Sequence, residues 1–298
     1  MESTTSNEEN RICRINREKN LNNQKIGIFY LLISAVLFSF AGIFVKGVEA
    51  SSWDVIYWRA LFGVIFVVIW YGFRLQLGKQ LRLRMSGFSI ALLAVICTTA
   101  FLSSFKFTSI ANVAMIYAVT PLMSGLLGWV ILREHISKQE LIASIFAIIG
   151  VAVVVNGSVG QINIYGDGLA IVMAVTLALI IVLFRKYPDT PSGGVNILSC
   201  AILVLMCSLI GTPFSVPFHE IAILAFFGLL FVTAYITLQE GAKILSPTLT
   251  ALLSILETPL APIWAWLILS EIPVLSTIVG GAIVLIAVLV ATFQSSTQ

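Results

Sequence analysis

One carboxylate, Glu257, stands close to the midpoint of the apolar run 247–269. Inside a bilayer an ionised carboxylate costs about 2.5–3.5 kcal/mol on insertion scales, so such a residue faces other helices or water and is a functional suspect by default. Two chemistries suit it: pairing with a cationic group of a solute, or taking up and releasing a proton. A buried, hydrogen-bonded structural Glu is the alternative. At helical spacing its neighbours are Thr250, Ser254, Ala261 and Ala265, a small and polar stripe suited to a cavity wall or a tight helix contact. Trp264 shares that face, where its indole could stack on a solute or anchor the helix at the membrane interface.

A second constellation lies in the run 110–132. Tyr117, Thr120, Ser124 and Gly128 are three, four and four residues apart and fall on one helical face, with Asn112 near one end. Such groups face protein or water rather than lipid. They could hydrogen-bond a solute, and helix packing through small and hydroxyl residues explains them equally well. Pro121, Pro259 and Pro262 remove backbone donors inside these runs and should kink them, making them candidate hinges beside Thr120 and Glu257. Arg59 lies about one turn inside the run 55–73, near enough to its end for the side chain to snorkel to the surface in a structural role. His135 and His219 stand alone, and Cys13, Cys97, Cys200 and Cys207 lack metal-ligand spacing. With no paired carboxylates, nucleophile arrangement or phosphate-binding Gly motif, enzyme chemistry, a metal and a cofactor have no foothold.

The elements that must position these residues follow from composition. The chain is 59% hydrophobic and 10% charged, against roughly 25% charged in a soluble domain. Ten apolar runs are long enough to be read as crossings: 26–45, 55–73, 87–105, 110–132, 141–155, 168–184, 195–212, 221–238, 247–269 and 273–293. The expected fold is therefore an all-α integral membrane protein with ten transmembrane helices. Residues 1–25 are polar, Asn-rich and mixed in charge, and are expected to form a disordered tail. Lys and Arg gather in alternate loops: Arg74, Lys79, Arg82 and Arg84, then Arg133 and Lys138, Arg185 and Lys186, and Lys243, with further cations in the tail. The positive-inside rule makes that side, both termini included, cytoplasmic. The excess positive charge is thereby explained by orientation, so nucleic acid is not an expected partner; the bilayer and a small molecule are.

Shifting the sequence on itself by 137 positions superposes Lys106 on Lys243, Ser109 on Ser246, Leu132 on Leu269, Glu134 on Glu271 and Ala143 on Gly280. Glu257 falls on Thr120. The two Lys suit anchoring of helix ends, and the two loop Glu suit the N-terminus of the following helix. Each half holds five runs, an odd number, so the second half enters the membrane from the opposite face. Two inverted five-helix repeats are expected, 26–155 and 168–293, joined by an outer linker at 156–167 and followed by a cytoplasmic tail at 294–298. Inverted repeats of this kind are a signature of secondary transporters; a bundle duplicated for stability alone is the competing explanation.

The segments Lys106-Phe107-Thr108-Ser109 through Thr120-Pro121 to Leu132-Arg133-Glu134, and Lys243-Ile244-Leu245-Ser246 through Glu257-Thr258-Pro259 to Leu269-Ser270-Glu271, resemble the EamA family of the drug/metabolite transporter superfamily. The resemblance covers about residues 26–293. It implies a central cavity lined mainly by crossings one, three, four, six, eight and nine, and a permease that moves small organic metabolites by alternating access, commonly exporting amino acids and related compounds. Uptake or exchange of another metabolite, for example a nucleoside-containing one, is the alternative within the family; a membrane sensor or enzyme stands further off. Proton coupling and a monomeric or homodimeric state both remain open at this level. A single cysteine placed between positions 156 and 167, in a background without the native cysteines, is expected to react with a membrane-impermeant thiol reagent added from outside the cell. Reaction from the cytoplasmic side alone would reverse the orientation.

Overall fold

A computed structural model describes the backbone of residues 2–46, 48–155, 163–269 and 275–295. Where water is absent, every backbone N–H and C=O must be satisfied within the chain, and runs this apolar can do so only as helices. The elements are α1 (Glu2–Ser39), α2 (Ala41–Lys46), α3 (Ser52–Phe73), α4 (Leu77–Gln80), α5 (Met85–Phe107), α6 (Ile110–Tyr117), α7 (Thr120–Leu132), α8 (Lys138–Val154), α9 (Ile164–Lys186), α10 (Ser192–Ile210), α11 (Phe218–Ala242), α12 (Pro247–Ser254), α13 (Glu257–Leu269) and α14 (Leu275–Ser295). Among the described residues nine helical stretches are long and apolar enough to cross a membrane. The fifth expected crossing, α8, has 17 residues, about 26 Å at ~1.5 Å per residue, so the expected count of ten rests on this shorter helix.

Hydrogen bonds sort the loops into two ends. At the basic end, Gln80 reaches Gly194, and Arg185 reaches Glu134 and the Ile244 carbonyl. At the opposite end, Asp54 accepts from the Thr212 amide, Trp58 donates to the Pro213 carbonyl and Thr108 donates to Asp167. The helix α8 joins the two ends, since it starts at Ser137 beside the basic contacts and leads toward Asp167. Backbone helix begins at Glu2, a difference from the disordered tail that composition suggests. Glu, Arg, Lys and Gln are good helix formers, and extending a helix already nucleated by the first crossing adds one hydrogen bond for each residue fixed.

The 137-residue shift reappears in the geometry. Both the fourth and ninth crossings are kinked, between pieces of 8 and 13 residues, and all four boundaries of α6 and α7 lie 137 positions before those of α12 and α13. Ser109 and Ser246 cap the two short pieces, each accepting from the amide three residues on. Packing obeys the same exchange: α5 lies on α9 as α11 lies on α1, α6 and α7 on α9 as α12 and α13 on α1, while α3 with α10 and α8 with α14 are pairs that map onto themselves.

The α8–α14 pair is the tightest of these. Buried Ala143, Ala147, Gly150 and Val151 on α8 face buried Gly280, Val284, Ala287 and Val288 on α14, position for position at the same shift. A Cβ on Gly150 would lie 2.9 Å from the Gly280 carbonyl oxygen, and one on Gly280 would meet the Gly150 carbonyl in turn. Helices in lipid associate through such close approaches because hydrocarbon offers no hydrophobic drive to bring them together. Gly280→Leu should therefore destabilise the purified protein by the ~1–3 kcal/mol or more that overpacking costs, read as a lower thermal unfolding midpoint, whereas Ile278→Leu on the exposed face of α14 should leave the midpoint in place.

Candidate functional site

The kinks in crossings four and nine place the site. Residues 118–119 and 255–256 kink the helix without leaving helical backbone, tightening by one bond each, in which the Val119 amide donates to the Ile116 carbonyl and the Leu256 amide to the Leu253 carbonyl. Tyr117 closes α6 and Glu257 opens α13, and their side chains lie near each other across the two halves of the sequence. Cys97 on α5 and Tyr235 on α11 lie in electrostatic range of Tyr117. Thr120 and Thr250, buried on either side of the kinks, each keep a hydroxyl with no partner. Tyr117 and Glu257 therefore approach each other from the two halves of the sequence, and Thr120 begins the helix that follows Tyr117.

The other residues named from sequence have structural partners. The Ser124 hydroxyl lies 2.9 Å from the Pro121 carbonyl oxygen and 3.1 Å from that of Pro247, so it links α7 to α12. Gly128 brings Pro247 close, since a Cβ there would sit 3.2 Å from the Pro247 ring, and a Cβ on Gly125 would sit 2.6 Å from the Thr248 hydroxyl. The lower part of the Tyr117–Gly128 stripe is thus a helix crossing. Ser254 donates to the Thr250 carbonyl of its own helix at 2.9 Å. The Trp264 indole donates to the Ser39 hydroxyl at 2.7 Å and stacks on Phe40 at 4.4 Å, tying α13 to the interruption between α1 and α2. Pro121 begins α7, Pro259 lies in the first turn of α13 and Pro262 sits inside it. Asn112 donates to Thr108 and to Asp167, 3.0 and 3.3 Å away. Glu271 and the side chains of Lys106 and Ala265 lie outside the described residues.

All eight residues of α12 are buried, and a polar set secures it at the basic end. The Ser246 hydroxyl donates to Glu140, whose other oxygen completes a capping box with Ser137. Arg185 pairs with Glu134 at 3.1 Å and donates to the Ile244 carbonyl at 2.8 Å. Glu134 is therefore an ion-pair partner, and Ser137 with Glu140 serve the N-terminus of the next helix. The pair equivalent to α7 and α12 is α13 and α6, and among the described residues these two make no comparable contact.

Arg59 departs from the sequence expectation. It does not snorkel to the surface: it is 4% exposed, with its guanidinium carbon 3.9 Å above the centre of the Phe231 ring and Nη2 lacking any hydrogen-bond partner. The signal that could have found it is Gly63, one turn along α3. With Gly228 it lets α11 close over the arginine, since a Cβ on Gly228 would lie 2.7 Å from the Arg59 carbonyl oxygen.

Comparison with known proteins agrees with this architecture. Residues 25–156 match the EamA-like transporter family. Solute carrier family 35 member G1 of Homo sapiens is 25% identical over 290 residues, 88% of this chain and 77% of that protein. The uncharacterised transporter YyaM of Bacillus subtilis (strain 168) is 26% identical over 234 residues, 72% of this chain and 76% of that one. A solved crystal structure shares the fold with a TM-score of 0.78 at 16% identity, covering 90% of this chain and 96% of its own. The EamA-like match over residues 25–156 and the likeness to these transporters together support a multi-pass membrane transporter of small solutes.

Proposed function

We propose that the chain is a secondary transporter that moves small organic metabolites across the cytoplasmic membrane by alternating access, with amino acids and related compounds as substrates and export as its direction. Its working units are two repeats, 26–155 and 168–293, in a ten-crossing bundle with both termini in the cytoplasm, as the gathering of Lys and Arg at the basic end supports. The observation that carries the reading is the approach of Glu257 and Tyr117, one from each half, at the two helix kinks. An irregular helix leaves polar groups at membrane depth only where protein or a cavity receives them, and in transporters discontinuous helices hold the substrate and coupling ion. Glu257 supplies a charge for a substrate ammonium and a site for a coupled proton.

The contacts described above correspond to one state of the cycle. With α12 seated on α7, the path is closed at the basic end, and the sparse contact of α13 with α6 leaves the opposite end as the route to Glu257. Pro121, Pro259 and Pro262 sit where the crossings must flex when the closed end is exchanged. The transport reading is tested in liposomes containing the purified protein, with a panel of labelled amino acids and related metabolites, with and without an imposed pH gradient. Flux of at least one solute, accelerated by the gradient, is expected, and Glu257→Gln should lose the acceleration while keeping its fold. No flux across the panel would end the transporter reading, and acceleration retained in Glu257→Gln would end proton coupling through that residue. Gly125→Leu should wedge α7 from α12, so that Thr250→Cys becomes labelled from the basic end about tenfold faster, the response to a ~1.4 kcal/mol shift of the closed state.

A further inference from the structure

Away from the helix kinks, α3, α5, α10 and α11 line a narrow, half-open cleft little wider than a water molecule in this state. Arg59 lies in its wall with Thr98, Ser199, Tyr235 and the Asn196 amide, which is held by Gln239, while Phe231 and Val232 are among its apolar residues. We propose that this cleft is a carboxylate-binding subsite of the transport path, with Arg59 as its anchor. The inference rests on the transport reading.

Three observations carry it. The guanidinium is buried and charged, yet no carboxylate among the described residues pairs with it; its electrostatic neighbours are Cys200, Cys207 and Tyr235. A buried cation without a partner is among the most unfavourable arrangements a fold can hold, and stacking on Phe231 offsets only part of that cost. Secondly, the free Nη2 leaves the planar fork of Arg59 incomplete, and two parallel bonds to one carboxylate are the geometry that fork fits. Thirdly, Tyr235 both lines the cleft and lies in range of Tyr117, which lies near Glu257. Polar groups therefore run from a cation at one pole to an acid at the other. A solute carrying both a carboxylate and an ammonium, as an α-amino acid does, matches both poles. A lone cation in a largely apolar cleft suits a singly charged carboxylate better than a doubly charged phosphate.

The test uses the full chain in detergent. Phenylglyoxal modification of Arg59, read from the mass of its peptide, is followed with acetate, butyrate, L-alanine, L-leucine, L-phenylalanine, the amide of each, and inorganic phosphate. Arg59 should react slowly without additions and more slowly still with at least one carboxylate, but not with the matching amide. In liposomes Arg59→Gln should lower kcat/KM for a carboxylate solute by about tenfold or more, as expected for loss of a charged hydrogen-bond partner, with Arg59→Lys intermediate and amide solutes unchanged. If Arg59→Gln does not fold, protection of the native arginine decides the matter. Protection by amides as strong as by carboxylates, protection by phosphate alone, no protection, or equal loss of carboxylate and amide flux in Arg59→Gln would each overturn the subsite. Flux of solutes lacking a carboxylate, with Arg59 unprotected, would overturn the subsite and leave transport standing. Protection without any flux would do the reverse.

Discussion

Kinking a helix in an apolar bundle frees backbone groups where no water can receive them, and the rest of this fold is arranged around two such kinks. The apolar stretches 110–132 and 247–269 each kink over two residues that keep helical backbone. The amides that lose their ordinary acceptors turn back to carbonyls three residues earlier, and the short leading pieces are capped by Ser109 and Ser246. These repairs work only if neighbours hold the pieces in place. Hence Gly125 and Gly128 open a berth for α12, Ser124 reaches across to Pro247, and Trp264 fastens α13 to Ser39.

This arrangement divides the polar residues into two groups. Ser124, Asn112, Glu134, Arg185 and Trp264 have firm partners within the protein and describe how the bundle is held. Arg59, Thr120 and Thr250 retain donors or acceptors that nothing in the fold satisfies, and Glu257 lies near a phenol from the other half. Leaving buried polar atoms unpaired is costly, which sets Arg59, Thr120 and Thr250 apart from the residues whose partners lie within the fold.

Much of the architecture was legible in the residues. Paired features at a constant shift of 137 anticipated the equivalence of α6 and α7 with α12 and α13, and Glu257 drew attention because a carboxylate is rare in an apolar run. Three things were not legible. Ser124 and Gly128 share a helical face with Tyr117, but whether a face meets a cavity or a partner helix depends on the crossing of α12, which periodicity does not encode. Arg59 lies one turn inside α3, compatible with reaching the surface until Gly228 is seen to bring α11 over it. Pro121 and Pro259 announce kinks, but not that the irregular residues fall upstream of them, at Ala118-Val119 and Ile255-Leu256.

The α8–α14 contact has a meaning that concerns origin. Gly150 approaches Gly280 and Val284, and Gly280 in turn approaches Gly150 and Val154, so two faces 137 positions apart in sequence pack on each other. That reciprocity is the mark of an isologous interface, the kind formed by two identical chains about a twofold axis. A five-helix ancestor inserted in both orientations would dimerise through the same small-residue surface, and joining the copies end to end would require no new packing. Once fused, the halves were free to diverge, and Glu257 opposite Thr120 is a difference that two identical subunits could not have held.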